Sequence, residues 1–465
     1  MEETASARAC RSDMRRAALG LVMWIGCGGT TPRPSEPIEP IADRPIATDE
    51  ATATSADGDL TAPPPPAATA AKLRMLRELI ASTEGTEQLE IRAHLLELLT
   101  GSDDAAVRAE AVTEGAALVA APGFAQLAVA DRVLATFADA LSAARRPAEA
   151  TAVWRRLIKD YPQSRWVAAA YVALGDAAFE DRDLVAARAM YDRALTDPMV
   201  GAYARYKRGW TSFNLGATAD ALSDFLIVVR TAREPLRKSA RADVVRAYAE
   251  VGDPAKAVAF FRGIDATDAG TMVLRLGDLY LDQGKLREAI AVYAAAAPLV
   301  DAAGGCHALV GTARAAWWQA DRADAEAALT AVVNRGPDPA CAAEAVELAI
   351  AVAEALAADA RRTRSGLDPA LAAWQRARAL VGAGPQRRDV AERTARLAAE
   401  RAAAIGTGAA WADAADAAAD AHAVAADAAA TLRWGREALD AWQRAVTLDP
   451  TLAPRAEAGR AQLAP

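Results

Sequence analysis

Three glycines constrain this chain more than any other feature in it. Gly175 and Gly209 are 34 residues apart, and Gly209 and Gly277 are 68 apart, twice the same period. A second row keeps step: Ala187, Ala221 and Ala289 each follow a glycine by twelve residues, and Tyr191, Phe225 and Tyr293 follow by four more. Residues four apart share one face of a helix. Small, small and aromatic, returning in register, therefore describe one helical unit stacked on copies of itself. The small residues let the two helices of a unit come close, and the aromatic fills the gap to the next unit. Each unit touches only its neighbours, so the length of 465 residues does not count domains.

Small residues at offsets 8 and 20 and an aromatic at 24 of a 34-residue period resemble the tetratricopeptide repeat. The resemblance implies an all-α fold, a right-handed α-solenoid of helix hairpins whose first helices line a concave groove. Residues 131–299 carry the core repeats. Asp131 to Ser164 fits one period through Ala150, Trp154 and Pro162, with Ala138 and Leu141 in place of the usual glycine and aromatic. Units at 168 and 202 follow; the next is displaced by two residues, its pattern carried by Tyr248, Gly252, Ala257 and Phe261. The clearest begins at 270. Residues 300–381 read as degenerate repeats, and residues 382–465 as Ala-rich C-terminal helices, 386–432 continuous, with a last repeat from Arg436 to Pro450 and a cap. Ahead of the core, residues 71–130 read as N-terminal hairpins, one of them spanning 102–130 and broken at Ala121-Pro122-Gly123. Asp103 and Asp104 stand where a carboxylate caps a helix start.

The chain opens differently. Met14-Arg15-Arg16, an apolar run from Ala17 to Ile25 and then Gly26-Cys27 resemble a bacterial lipoprotein signal, with Trp24 where Leu is usual. The resemblance implies that residues 1–26 are removed, the true start being Met14, and that lipid on Cys27 anchors the mature protein to the outer membrane, facing the periplasm. An uncleaved apolar tail with an incidental cysteine is the other reading. The run is too short to span a bilayer, which takes about 20 apolar residues. Residues 27–70 carry Pro32, Pro34, Pro37, Pro40, Pro45 and Pro63 to Pro66 with few large apolar side chains, a tether that cannot bury a core.

Within the unit at 202, the positions that face the groove in the family are Tyr203, Tyr206, Trp210, Phe213 and Asn214, with Lys207 beside them. Spacing of 3, 4 and 3 puts the aromatics on one helical stripe. The stripe serves either as a groove for an extended or helical peptide or as core against the next hairpin. The segment YKRGWTSFNLG is also similar to repeats of the periplasmic TolA-binding coordinator of envelope constriction. Cys306 and Cys341, 35 residues apart, would begin successive first helices side by side, and form either a disulfide or two buried thiols.

Chemistry finds little support. There is no Gly-rich phosphate loop, His-Glu-x-x-His or nucleophile elbow. His94, His307 and His422 lie far apart, and His307 beside Cys306 lacks the further ligands a metal needs. A net charge of −8 with scattered arginine offers no basic stripe, so no nucleic-acid partner is expected. Together the features predict no enzyme and no cofactor: a protein-binding scaffold of the cell envelope. The alternatives are an accessory subunit of an envelope machine, or a cytoplasmic adaptor if the signal is not one.

Overall fold

The computed structural model describes residues 66–102, 104–336 and 338–463. The signal at 1–26, Cys27 and the tether up to residue 65 lie outside the described residues. Among the described residues there are 21 α-helices, four short 3-10 turns and no strand. None of these helices is long and apolar enough to cross a membrane.

The helices pair into hairpins. Helix α1 (Pro66–Ser82) leads; α2 (Gly85–Thr100) and α3 (Ala105–Val119) form the first pair, and α4 (Ala130–Ala143) with α5 (Pro147–Asp160) the second. Then come α6 (Val167–Glu180) with α7 (Leu184–Ala194), α8 (Gly201–Asn214) with α9 (Thr218–Thr231), and α10 (Leu236–Val251), whose Tyr248 ring meets Phe260 and Phe261 of the short α11 (Ala257–Arg262). Helices α12 (Ala269–Asp282) and α13 (Leu286–Ala296), then α14 (Ala302–Trp318) and α15 (Arg322–Arg335), continue the series. First helices touch first helices from α6 onward, α6 on α8, α8 on α10, α10 on α12 and α12 on α14, which builds a layer of first helices.

The lattice glycines explain this stacking in atomic terms. A Cβ on Gly175 would stand 2.6 Å from the Tyr191 ring, one on Gly209 2.7 Å from Phe225, and one on Gly277 2.6 Å from Tyr293. Each glycine thus makes a seat for the aromatic of its own second helix. A Cβ on Gly311, on the next hairpin, would stand 2.5 Å from the other side of the Tyr293 ring, so this aromatic is clamped between two repeats. Ala187, Ala221, Ala289, Tyr191, Phe225 and Tyr293 are all buried to 1% exposure or less.

Beyond α15 the scale changes. Helix α16 (Pro339–Thr363) is 25 residues long and pairs with α17 (Asp368–Leu380); α18 (Pro385–Ile405), α19 (Gly408–Ala423) and α20 (Ala428–Leu448) follow, and α21 (Ala453–Ala461) ends the series.

Two expectations are corrected here. Residues 102–130 are not a hairpin: α3 is one helix that packs against α2 and α4, and the Ala121-Pro122-Gly123 break leads into a 3-10 turn at Phe124–Gln126. Asp104 does cap α3, accepting from the Ala106 amide at 2.7 Å. Residues 386–432 are not one helix. Gly406, at φ 72, ends α18 in the left-handed region; Thr407 caps α19 and Asp427 caps α20 through their side chains. Helix α20 then runs unbroken through Arg436.

Candidate partner-binding face

Helix α8 positions the aromatic stripe, and its periodicity divides it. Tyr206 and Trp210 are fully buried. They are not groove residues, which corrects the groove expectation for both. Their polar ends turn to α10, where the Asp243 carboxylate accepts from the Tyr206 hydroxyl at 2.8 Å and from the Trp210 indole N–H at 3.0 Å. Arg246 completes this buried group, 3.2 Å from the other oxygen of Asp243 and stacked over the Trp210 ring. Burial raises the Asp243 carboxyl, against hydrogen bonds that lower it, and burial likewise raises the Tyr206 hydroxyl. An acid 33 residues after Trp210 was the sequence signal for this partner.

Tyr203, Lys207, Phe213 and Asn214 remain partly exposed on the layer of first helices. Lys207 is held in place rather than free. Its ammonium lies 3.3 Å from Asp176 and over the rings of Phe179 and Tyr203. Tyr191 donates to the same Asp176 oxygen at 2.6 Å. The Asn214 Nδ2 is enclosed without a hydrogen-bond partner.

A second such group joins α12, α13 and α14. Asp278 accepts from the Tyr293 hydroxyl at 2.7 Å and lies 2.7 Å from His307 Nε2. Burial raises Asp278, but hydrogen bonds from His307 and Tyr293 outweigh it and the carboxyl ends below its usual range; the same bond holds His307 above its own. Sequence reading missed both groups, although each aspartate directly follows a lattice glycine and precedes its tyrosine by fifteen residues.

The other singled-out residues separate. Cys306 in α14 and Cys341 in α16 lie sulfur against sulfur, their Cα atoms 6.1 Å apart. His94 is exposed beside Glu97, and His422 Nδ1 meets the Thr431 carbonyl at 2.8 Å. Among the described residues no group of three His, Cys, Asp or Glu is placed to hold a metal ion.

A family profile described as tetratricopeptide repeat matches residues 137–164, which span the end of α4 and all of α5. No curated protein sequence matches the chain. Among solved structures, YrrB, titled a TPR protein with an unusual peptide-binding site, is 18% identical, covering 42% of this chain and 96% of its own, at TM-score 0.25. Pseudomonas aeruginosa pilF is 17% identical over 47% of this chain and 95% of its own, at 0.28. A chain of the APC/C hetero-tetramer Cut9-Hcn1 structure is 11% identical over 84% of this chain and 99% of its own, at 0.32. Likeness at this level says nothing about what the chain binds.

Proposed function

We propose that this tetratricopeptide-type solenoid is a non-catalytic scaffold that holds partner proteins against the layer of first helices, in the bacterial cell envelope. The observation that carries the reading is the partly exposed cluster of Tyr203, Phe213 and Asn214 on α8, with Phe179 of α6 beside the fixed Lys207. These are rigid aromatic and amide groups set on helices whose Tyr206, Trp210 and Leu174 side chains are buried. Aromatic side chains give large contact area at low entropic cost, the composition expected of a binding surface. Placement in the envelope is supported by the Met14 to Cys27 segment, and lipid on Cys27 would leave the tether and solenoid facing the periplasm, at the outer membrane because Gly28 follows the cysteine. An accessory role in an envelope machine is the same reading with a dedicated partner.

Capture of partners from an envelope lysate by the full chain tests the surface. Wild type retains a specific partner and Tyr203→Ala/Phe213→Ala loses it, with helicity unchanged; equal capture by both overturns the site. Palmitate labelling of wild type and Cys27→Ala tests the anchor, and absence of label in wild type removes it.

A further inference from the structure

The tenth residue of a first helix is an aspartate in three hairpins: Asp139 in α4, Asp176 in α6 and Asp278 in α12. An aromatic follows each by fifteen positions, Trp154, Tyr191 and Tyr293, and all three aromatics are buried. Two of the three sites are complete. Tyr191 and Tyr293 donate to their aspartates, and a cation arrives from the first helix of the following hairpin: Lys207 at Asp176 and the His307 ring at Asp278. Asp243, nearby in the same layer, is likewise matched, by Arg246.

Asp139 has neither partner among the described residues. Trp154 offers only an indole N–H, and that nitrogen is buried with no hydrogen bond. The seventh residue of α6, where α8 has Lys207, is Ala173, which has no charge to give. Asp139 is exposed. Crowding by the helix surroundings pushes its carboxyl up, with no charged neighbour pulling it back.

We propose that Asp139 is an open socket for a lysine or arginine side chain of a partner protein, supplied from outside in the place that Lys207 and His307 fill from within at the two sister sites. The proposal rests on the protein-binding reading above and gives the partner a chemistry: a cationic residue that reaches the α4 to α6 step. A partner cation there turns an unpaired carboxyl into a charge-assisted pair. An acidic segment would meet only repulsion.

Fluorescence polarisation on the full chain tests this, with three fluorescein-labelled peptides of one Gly, Ser and Leu frame carrying a central Lys, Arg or Glu. Lys and Arg peptides are expected to bind about tenfold more tightly than the Glu peptide, roughly the worth of one charge-assisted contact. Asp139→Asn removes that preference, and so does Ala173→Lys, which fills the socket internally as Lys207 does. Circular dichroism checks the fold of both variants, and Asp139→Asn decides alone if Ala173→Lys does not fold. No preference in wild type, or a preference that survives Asp139→Asn, overturns the socket. If capture from the envelope lysate stays sensitive to Tyr203→Ala/Phe213→Ala in that case, the socket falls and the binding surface stands.

Discussion

The hairpins before α16 and those after it solve the same packing problem with different side chains. First helices begin at 130, 167, 201, 236, 269, 302 and 339, so steps are 33 to 37 residues; the next begin at 385 and 428, steps of 46 and 43. In the short-period region a missing Cβ and one aromatic set the close approach in three hairpins, as at Gly277 and Tyr293. In the long-period region alanine dominates the buried faces: Ala410, Ala412, Ala414, Ala415, Ala418 and Ala421 are all buried in α19. There arginine–carboxylate pairs stitch successive hairpins, Arg361 to Glu400, Arg393 to Glu354 and Arg378 to Asp420. A keyed seat gives a strict register, whereas an alanine face tolerates helices of varied length.

The comparison breaks most visibly by changing aromatics and methyl groups. Tyr293→Ala empties a seat shared by Gly277 and Gly311, and an expected loss of about 3–5 kcal/mol follows from such a truncation. Gly277→Ala is expected to cost about 1–3 kcal/mol, because the added methyl meets the Tyr293 ring. In α19 the sign reverses: Ala415→Gly, the removal of a methyl, costs about 1 kcal/mol through helix propensity. Urea titrations followed by circular dichroism check all three, and a neutral Gly277→Ala would refute the seat.

That contrast also explains what could be read from sequence. Gly175, Gly209 and Gly277 were legible because the seat requires one residue type at one place, and no ordinary side chain substitutes. The face of Tyr206 and Trp210 was not, since a stripe at helical spacing looks alike whether it meets solvent or the next helix. Only Asp243 on α10 decides between them. Nor were the ends of α18 and α19 legible, because alanine on every side leaves no apolar period to follow. Gly406 stops α18, and Asp427, which starts α20, is one of many aspartates there. Asp139 and its sisters escaped notice because carboxylates on a helix usually face water.

The seam between the two regions is where Cys306 of α14 meets Cys341 of α16. If the pair is oxidised, a bond across 35 residues stabilises by about 4 kcal/mol in the chain-entropy account. Intact mass under non-reducing conditions is expected to lack two hydrogens, and Cys306→Ser to unfold at lower urea. Two free thiols in that spectrum would leave the seam held by packing alone.

A smaller effect, dependent on pH, should appear one hairpin earlier, at His307 and Asp278. His307 is held above its usual range, so its contribution is complete below about pH 6.5 and is lost as pH rises through its folded value. Asp278 is held below its range, so its contribution is present above about pH 4 and is lost as pH falls through its folded value. Both act fully between about pH 4 and 6.5. Arg314 and Glu344, paired together, face His307. The thermal midpoint of wild type relative to His307→Gln should be highest in that window and decline toward pH 9. A flat difference would show that the ring packs there without its charge.

The smallest effect belongs to the stitches of the long-period region. Arg361 and Glu400 are 54% and 43% exposed, and water and salt screen such a pair, so Arg361→Ala should cost less than about 1 kcal/mol and less still in high salt. Arg361 also spans α16 and α18, so its removal reports whether register there depends on charge or on the alanine faces beneath. A urea midpoint that moves as far as that of Gly277→Ala would mean that the stitches set the register. A midpoint unchanged in 1 M salt would mean that the buried alanines do, and that charge only selects which helix faces water.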